Sequence, residues 1–269
     1  MLDIEIIKKW LTKDIQTLNN NEFKIFGSNI PNNWSNTILN IKNTQESDNK
    51  VLILWTLVNN NLKLQIAFTL HDKLPNTLIN IEMEILCQFN IANFIDEWII
   101  EFYNLKFYLE GNIKIPILSY NENYSNEIQL EINITEKPEK IFKSLVHREY
   151  MNKIFSRYPE VNVATDTYTW GWISEGPSNL LLINENELLI HDFLVDHTPI
   201  GIVYWELNEI ESNKSKLVVK HKELDLGDEI NQSSAYNAYK HGWLLLLLRI
   251  KDISENNYLN FDDSSQILD

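Results

Sequence analysis

Apolar and polar residues alternate most clearly at 128–134. Ile128, Leu130, Ile132 and Ile134 are separated by Gln129, Glu131 and Asn133, and a two-residue period marks a strand with one face buried. Thr135 or Glu136 then leads to Pro138 and a helical stretch over 141–155, with the proline near the first turn, where its missing donor is harmless. Strand-like runs follow near 160–165, 168–174, 179–184, 187–195, 201–210 and 215–224, divided by short turns such as Asn184-Glu185-Asn186 and Ser212-Asn213. A long amphipathic helix from Ala238 to Glu255 closes the series. The earlier half reads similarly but is shorter. It predicts a helix over about 4–18, strands near 22–28, 35–43, 50–58, 61–70 and 77–88, and a long helix from Phe94 to Glu110.

The two long helices lie over one another. Trp98 and Trp243, Leu105 and Ile250, Lys106 and Lys251, and Glu110 and Glu255 all differ by 145 residues, and such self-similarity predicts an internal duplication. The first copy lacks an opening strand. Ile113 to Leu118 is strand-like without another assignment, so it is expected to fill that position, with 119–125 as linker. Leu244 to Leu248 covers the whole circumference of the second helix. Helices apolar all round are buried on more than one side. One face is expected on its own sheet and the other against the first copy or a second chain, so that Leu245→Ala or Leu247→Ala loosens that contact.

The second half carries a specific likeness. Tyr168-Thr169-Trp170-Gly171-Trp172, the Gly176-Pro177 turn, the apolar strand after it, the Asn186-Glu187-Leu188 turn and the ending Gly242-Trp243 with Ile250, Lys251 and Glu255 resemble the domain shared with the activator of the heat-shock-protein ATPase. That domain is a branch of the START-like or SRPBCC superfamily. The resemblance implies an α+β fold of two tandem helix-grip units, each a curved antiparallel sheet wrapped on a long C-terminal helix, the first unit shortened. The expected division is 1–118 for the degenerate unit, 126–256 for the unit resembling the ATPase activator, and 257–269 for a C-terminal tail. Two departures stand out. Ile154-Phe155-Ser156 replaces the family's frequent tryptophan pair, and the first copy has neither the Gly-Trp strand nor the Gly-Pro turn.

Charge and composition narrow the function. The chain has 269 residues, with 38 acidic against 23 basic residues and a net charge of −15. That field disfavours a nucleic-acid partner. Its seven glycines form neither a dinucleotide fingerprint nor a phosphate-binding loop. Cys87 is alone, in an apolar run, and is expected to pack as a small hydrophobe. The leucine run falls far short of the roughly 20 apolar residues of a membrane span, and MLDIEIIKKW is not a signal peptide. The expectation is a cytoplasmic protein without a membrane association.

In the implied groove between sheet and helix, strand parity and the helix face select Trp170, Trp172, Trp205, His221, Tyr239 and Trp243 as candidate ligand-lining residues. They serve equally as core filling. His191, Asp192, Asp196 and His197 resemble a metal cluster on paper. His191 and His197 would lie about 20 Å apart along an extended strand, so no metal site and no cofactor are expected. His221 shares a face with Leu217 and Val219 and is read as a core polar residue or a ligand contact. His241 and His147 are read as surface groups. No nucleophile elbow or acid–base pair is visible, so catalysis has no sequence support. The leading reading is non-catalytic binding of an apolar or amphipathic small molecule. The alternatives are a chaperone-associated or stress-related protein-interaction module, whose partner is a chaperone or a second copy of the chain, and a cyclase or hydrolase on the same fold.

Overall fold

The computed structural model describes residues 4–12, 14–26, 37–47, 50–59, 62–73, 76–85, 92–111, 123–154, 160–170, 178–227 and 232–255. Cys87, 113–118, Gly171 to Pro177 (with Trp172) and 257–269 lie outside the described residues. The chain divides into two units, Met1–Glu122 and Asn123–Asp269.

The first unit opens with α1 (Ile4–Trp10). Strands β1 (Asp14–Asn19), β2 (Glu22–Phe26), β3 (Thr37–Ser47), β4 (Lys50–Asn59), β5 (Leu62–Lys73) and β6 (Asn76–Ile85) follow, then α2 (Ala92–Leu109). The strands pair in chain order as an antiparallel meander. Inward residues from four strands, among them Ile25, Leu39, Trp55 and Phe68, meet Trp10 of α1 and Trp98 and Phe102 of α2 in one core. Trp10 stacks on Trp55 at 5.6 Å.

One expectation fails here. The first helix ends at Trp10 rather than near 18, and 14–19 is a strand paired with β2. Thr12 explains the break: its hydroxyl accepts from the Asp14 N–H and donates to the Phe26 carbonyl. A side chain that offers the backbone such a local partner competes with the helix. The chain therefore turns and enters the sheet.

The second unit runs β7 (Ile128–Ile134), α3 (Pro138–Val146), α4 (Arg148–Ile154), β8 (Glu160–Asn162), a 3-10 turn, β9 (Thr167–Thr169), β10 (Ser178–Asn184), β11 (Leu188–Val195), β12 (Thr198–Glu211), β13 (Lys214–Lys222) and α5 (Gln232–Ser254). The sheet order is β7-β13-β12-β11-β10-β9-β8, so the opening strand pairs with the last one. A strand, two short helices, a six-strand meander and a long helix is the helix-grip order. The molecule is thus α+β, with an antiparallel sheet and a closing helix in each unit.

The alternation at 128–134 is met by burial of Ile128, Ile132 and Ile134 on the face toward α5. Leu244 to Leu248 are all buried. From within the unit, β7 and β13 contact α5, and so do α3 and α4. His241 is buried rather than a surface group, because it shares the helix face of Leu244, Leu245 and Leu248. The duplication survives inspection: Trp98 and Trp243, and Leu105 and Ile250, are buried pairs. Lys106–Glu110 and Lys251–Glu255 are both ion pairs one helical turn apart.

Candidate functional site

Between the sheet of the second unit and α5 lies a continuous group of aromatic rings and two histidines. The register builds it. Leu180, His191, Val203, His221 and Ile128 form one cross-sheet row over β10, β11, β12, β13 and β7. Side chains directly opposite on neighbouring antiparallel strands share a face. Val203 thus separates the two imidazoles by two strand spacings, roughly 10 Å. The next row carries Leu189, Trp205 and Val219. Trp205 is therefore a diagonal neighbour of His191.

Each histidine is fixed by an indole. Trp205 Nε1 donates to His191 Nε2 at 3.3 Å, and Trp243 Nε1 of α5 donates to His221 Nδ1 at 3.2 Å. A nitrogen that accepts carries no proton, so the proton of each ring sits on the other nitrogen. His191 Nδ1–H donates to the Asp192 carbonyl, and His221 Nε2–H donates to the Ile200 carbonyl at 3.2 Å. The two rings hold opposite tautomers.

Burial, only partly opposed by these carbonyls, lowers the His191 pKa to about 3 and that of His221 to about 4; His221 adds a small further lowering at His191. Both rings are neutral at neutral pH, with every nitrogen engaged. Neither offers a free lone pair to a substrate proton or a metal. Among the described residues no three His, Cys, Asp or Glu side chains converge on an ion position.

Gly201 makes the fit at His221. Its φ is +140°, and a Cβ there would stand 2.5 Å from the Lys222 carbonyl oxygen and 2.6 Å from His221 Nε2. Only glycine lets β12 pass this close to the imidazole.

The rings continue on both sides. Tyr168 donates to the Leu145 carbonyl of α3 at 2.9 Å and faces His191 at 4.5 Å. Trp170 lies 5.4 Å from Tyr168 and 5.6 Å from Trp205. Trp205 meets Trp243 at 5.7 Å, and Phe193 touches His221 and Trp243, each at 5.4 Å. Tyr239, one turn before Trp243, is 6.2 Å from both Phe193 and His221.

Of the six candidate residues, Trp170, Trp205, His221, Tyr239 and Trp243 come together; Trp172 lies outside the described residues. Trp170, Trp205, His221 and Trp243 are fully buried and Tyr239 is half-buried. The sequence reading passed over His191, Tyr168 and Phe193 as members. Their inward parity with Leu189 was the available signal, but His191 was weighed only as a metal ligand. The structure removes that idea geometrically: His191 faces the core, whereas His197 sits exposed at the tip of the β11–β12 turn with Asp196, both at positive φ.

No protein-family model and no curated protein sequence matches the chain. Solved structures do. An HSP90 activator from Plasmodium falciparum is 14% identical, with 48% of this chain and 95% of that one covered at a TM-score of 0.41. The Aha1 dimer from Colwellia psychrerythraea is 17% identical, covering 49% and 98% at a TM-score of 0.40. DynU16, from the dynemicin biosynthetic locus, is 14% identical and spans more, 92% of this chain and 90% of that one, at a TM-score of 0.35.

Proposed function

We propose that the second unit is a non-catalytic binding module for an apolar or amphipathic small molecule, held between the sheet and the N-terminal half of α5. One observation carries this reading. The ring series from Trp170 through Trp205, Trp243 and His221 to Tyr239 is continuous, and no Lys, Arg, Asp or Glu belongs to it. Such a lining suits an apolar ligand with few polar contacts. Tyr239 is its partly exposed member and marks the entrance. Binding without catalysis fits the histidines, whose nitrogens are all engaged.

The test is native mass spectrometry of gently purified protein beside the same sample denatured. A reproducible extra mass is expected, lost on denaturation and lost in a folded Tyr239→Ala variant. A clean chain mass from several preparations, or an extra mass unaffected by Tyr239→Ala, would remove the reading.

A protein-contact role is the second reading, and a specific feature favours it. A bulge in β10 leaves Leu181 and Leu182 exposed, with Leu182 paired to Ile190 on the sheet face away from α5. Leu182→Ser should then abolish capture of a chaperone partner while leaving any bound small molecule in place. No helix among the described residues is long and apolar enough to cross a membrane.

A further inference from the structure

We propose that residues 113–118 form the second strand neighbour of β6, a parallel strand that the second unit replaces with an antiparallel one. The six strands of the first unit correspond in order to β8–β13. In the second unit β13 lies between β12 and β7, with seven residue pairs to β7. Among the described residues β6 has a neighbour on one side only, β5.

Burial records the difference. Leu217 and Val219 of β13 are fully buried beside β7. On β6, Ile81 and Met83 stay only half-buried, although their β5 partners Phe68 and Ile66 are fully buried. Apolar side chains so placed gain from a further strand, and a bare edge of this length invites pairing.

The chain delivers a suitable segment to this edge. In the second unit the end of α5 meets the end of β7: Lys251 donates to the Asn133 carbonyl, and Glu255 accepts from the Thr135 N–H. The duplicated residues Lys106 and Glu110 put the end of α2 at the corresponding corner of β6. There Gly111, at φ +82°, turns the chain out of the helix, its N–H bonded to the Tyr108 carbonyl. A strand starting at 113 enters where β7 would finish and runs the opposite way, parallel to β6. Parallel neighbours need a crossover of a dozen or more residues, usually a helix, and 86–112 with α2 is that crossover.

The residue pattern agrees. Ile113, Ile115 and Ile117 share one face, beside Ile79, Ile81 and Met83, and Lys114 falls on the face of Glu82 and Glu84. Both carboxylates are exposed. The second unit has the same device with its charges exchanged, Lys216 of β13 reaching Glu131 of β7 at 3.1 Å. Pro116 is tolerated because the new strand is itself an edge.

Cross-linking in the full chain tests the seat. With Cys87→Ser as background, Lys114→Cys is combined in turn with Asn80→Cys, Glu82→Cys and Glu84→Cys and treated with a short bis-maleimide. At least one pair should link within the chain about tenfold faster than a Lys114→Cys, Gln16→Cys control on the opposite edge strand, because the seated segment holds a high effective concentration. Links no faster than the control overturn the proposal, and so do links found only between two chains, which would put a second copy on the edge. Hydrogen exchange on the unmodified chain is the second readout. Amides of 113–118 should be protected together with those of β6; exchange of 113–118 at free-chain rates overturns the proposal even where a link forms.

Discussion

Gly201 is where the least chemical change should have the largest local effect. A methyl group there meets a backbone oxygen and the His221 ring at once, in a backbone conformation that side chains rarely adopt. Gly201→Ala should cost about 2 kcal/mol or more, read as a lower urea midpoint. The histidines set a pH dependence with a definite sign. Above about 6.5 both rings are neutral whether the chain is folded or not. Below it the unfolded chain takes up protons, and the folded one does not until about 4 at His221 and about 3 at His191. Stability therefore falls as pH drops through this window, by roughly 1.4 kcal/mol per histidine per pH unit. His221→Asn should melt lower than the parent at pH 7 yet lose less between pH 7 and 5; an unchanged acid slope would show that other groups set it.

At the scale of elements, the duplicated ion pairs separate geometry from burial. Lys251 and Glu255 are nearly inaccessible, and Glu255 also accepts the Thr135 N–H. Lys106 and Glu110 sit 4.0 Å apart with Glu110 exposed. Removing one member of a buried pair strands the other charge, at about 3 kcal/mol, whereas an exposed pair is worth under about 1 kcal/mol. Glu255→Gln should thus destabilise the protein at least twice as much as Glu110→Gln, measured by chemical denaturation. The elements themselves were legible wherever one face alternates, as in β7 and β13, because a half-buried strand writes its burial into every second residue. The first helix was overrun because its stop signal is a hydroxyl bonded to a strand fourteen residues away. His221 could be placed inward from its own strand. The partnership of His191 with Trp205 could not be foreseen, because it depends on the register between β11 and β12 and no single strand contains that information.

Across the whole molecule the two units share an architecture but not a core chemistry. The first centres on Trp10, Trp55, Phe68 and Phe102, hydrocarbon against hydrocarbon. In the second unit two indoles are spent on imidazoles, and both histidines with lowered pKa belong to it. Acid should therefore act unequally. Between pH 6.5 and 4 the change in tryptophan emission should come mainly from Trp205 and Trp243. It should persist in Trp55→Phe and shrink in Trp205→Phe. Equal losses in both variants would mean that the units respond to acid together.

The opposed hydrogen bonding of His191 and His221 has a spectroscopic consequence. In water a neutral imidazole trades its proton between its two nitrogens, and nitrogen-15 resonances report only the average. Here one ring is held with the proton on Nδ1 and the other with it on Nε2. A single labelled sample should therefore display both limiting spectra at once, each ring serving as the internal reference for the other. A bound molecule that displaced either indole would collapse one signature toward the average and leave its counterpart untouched.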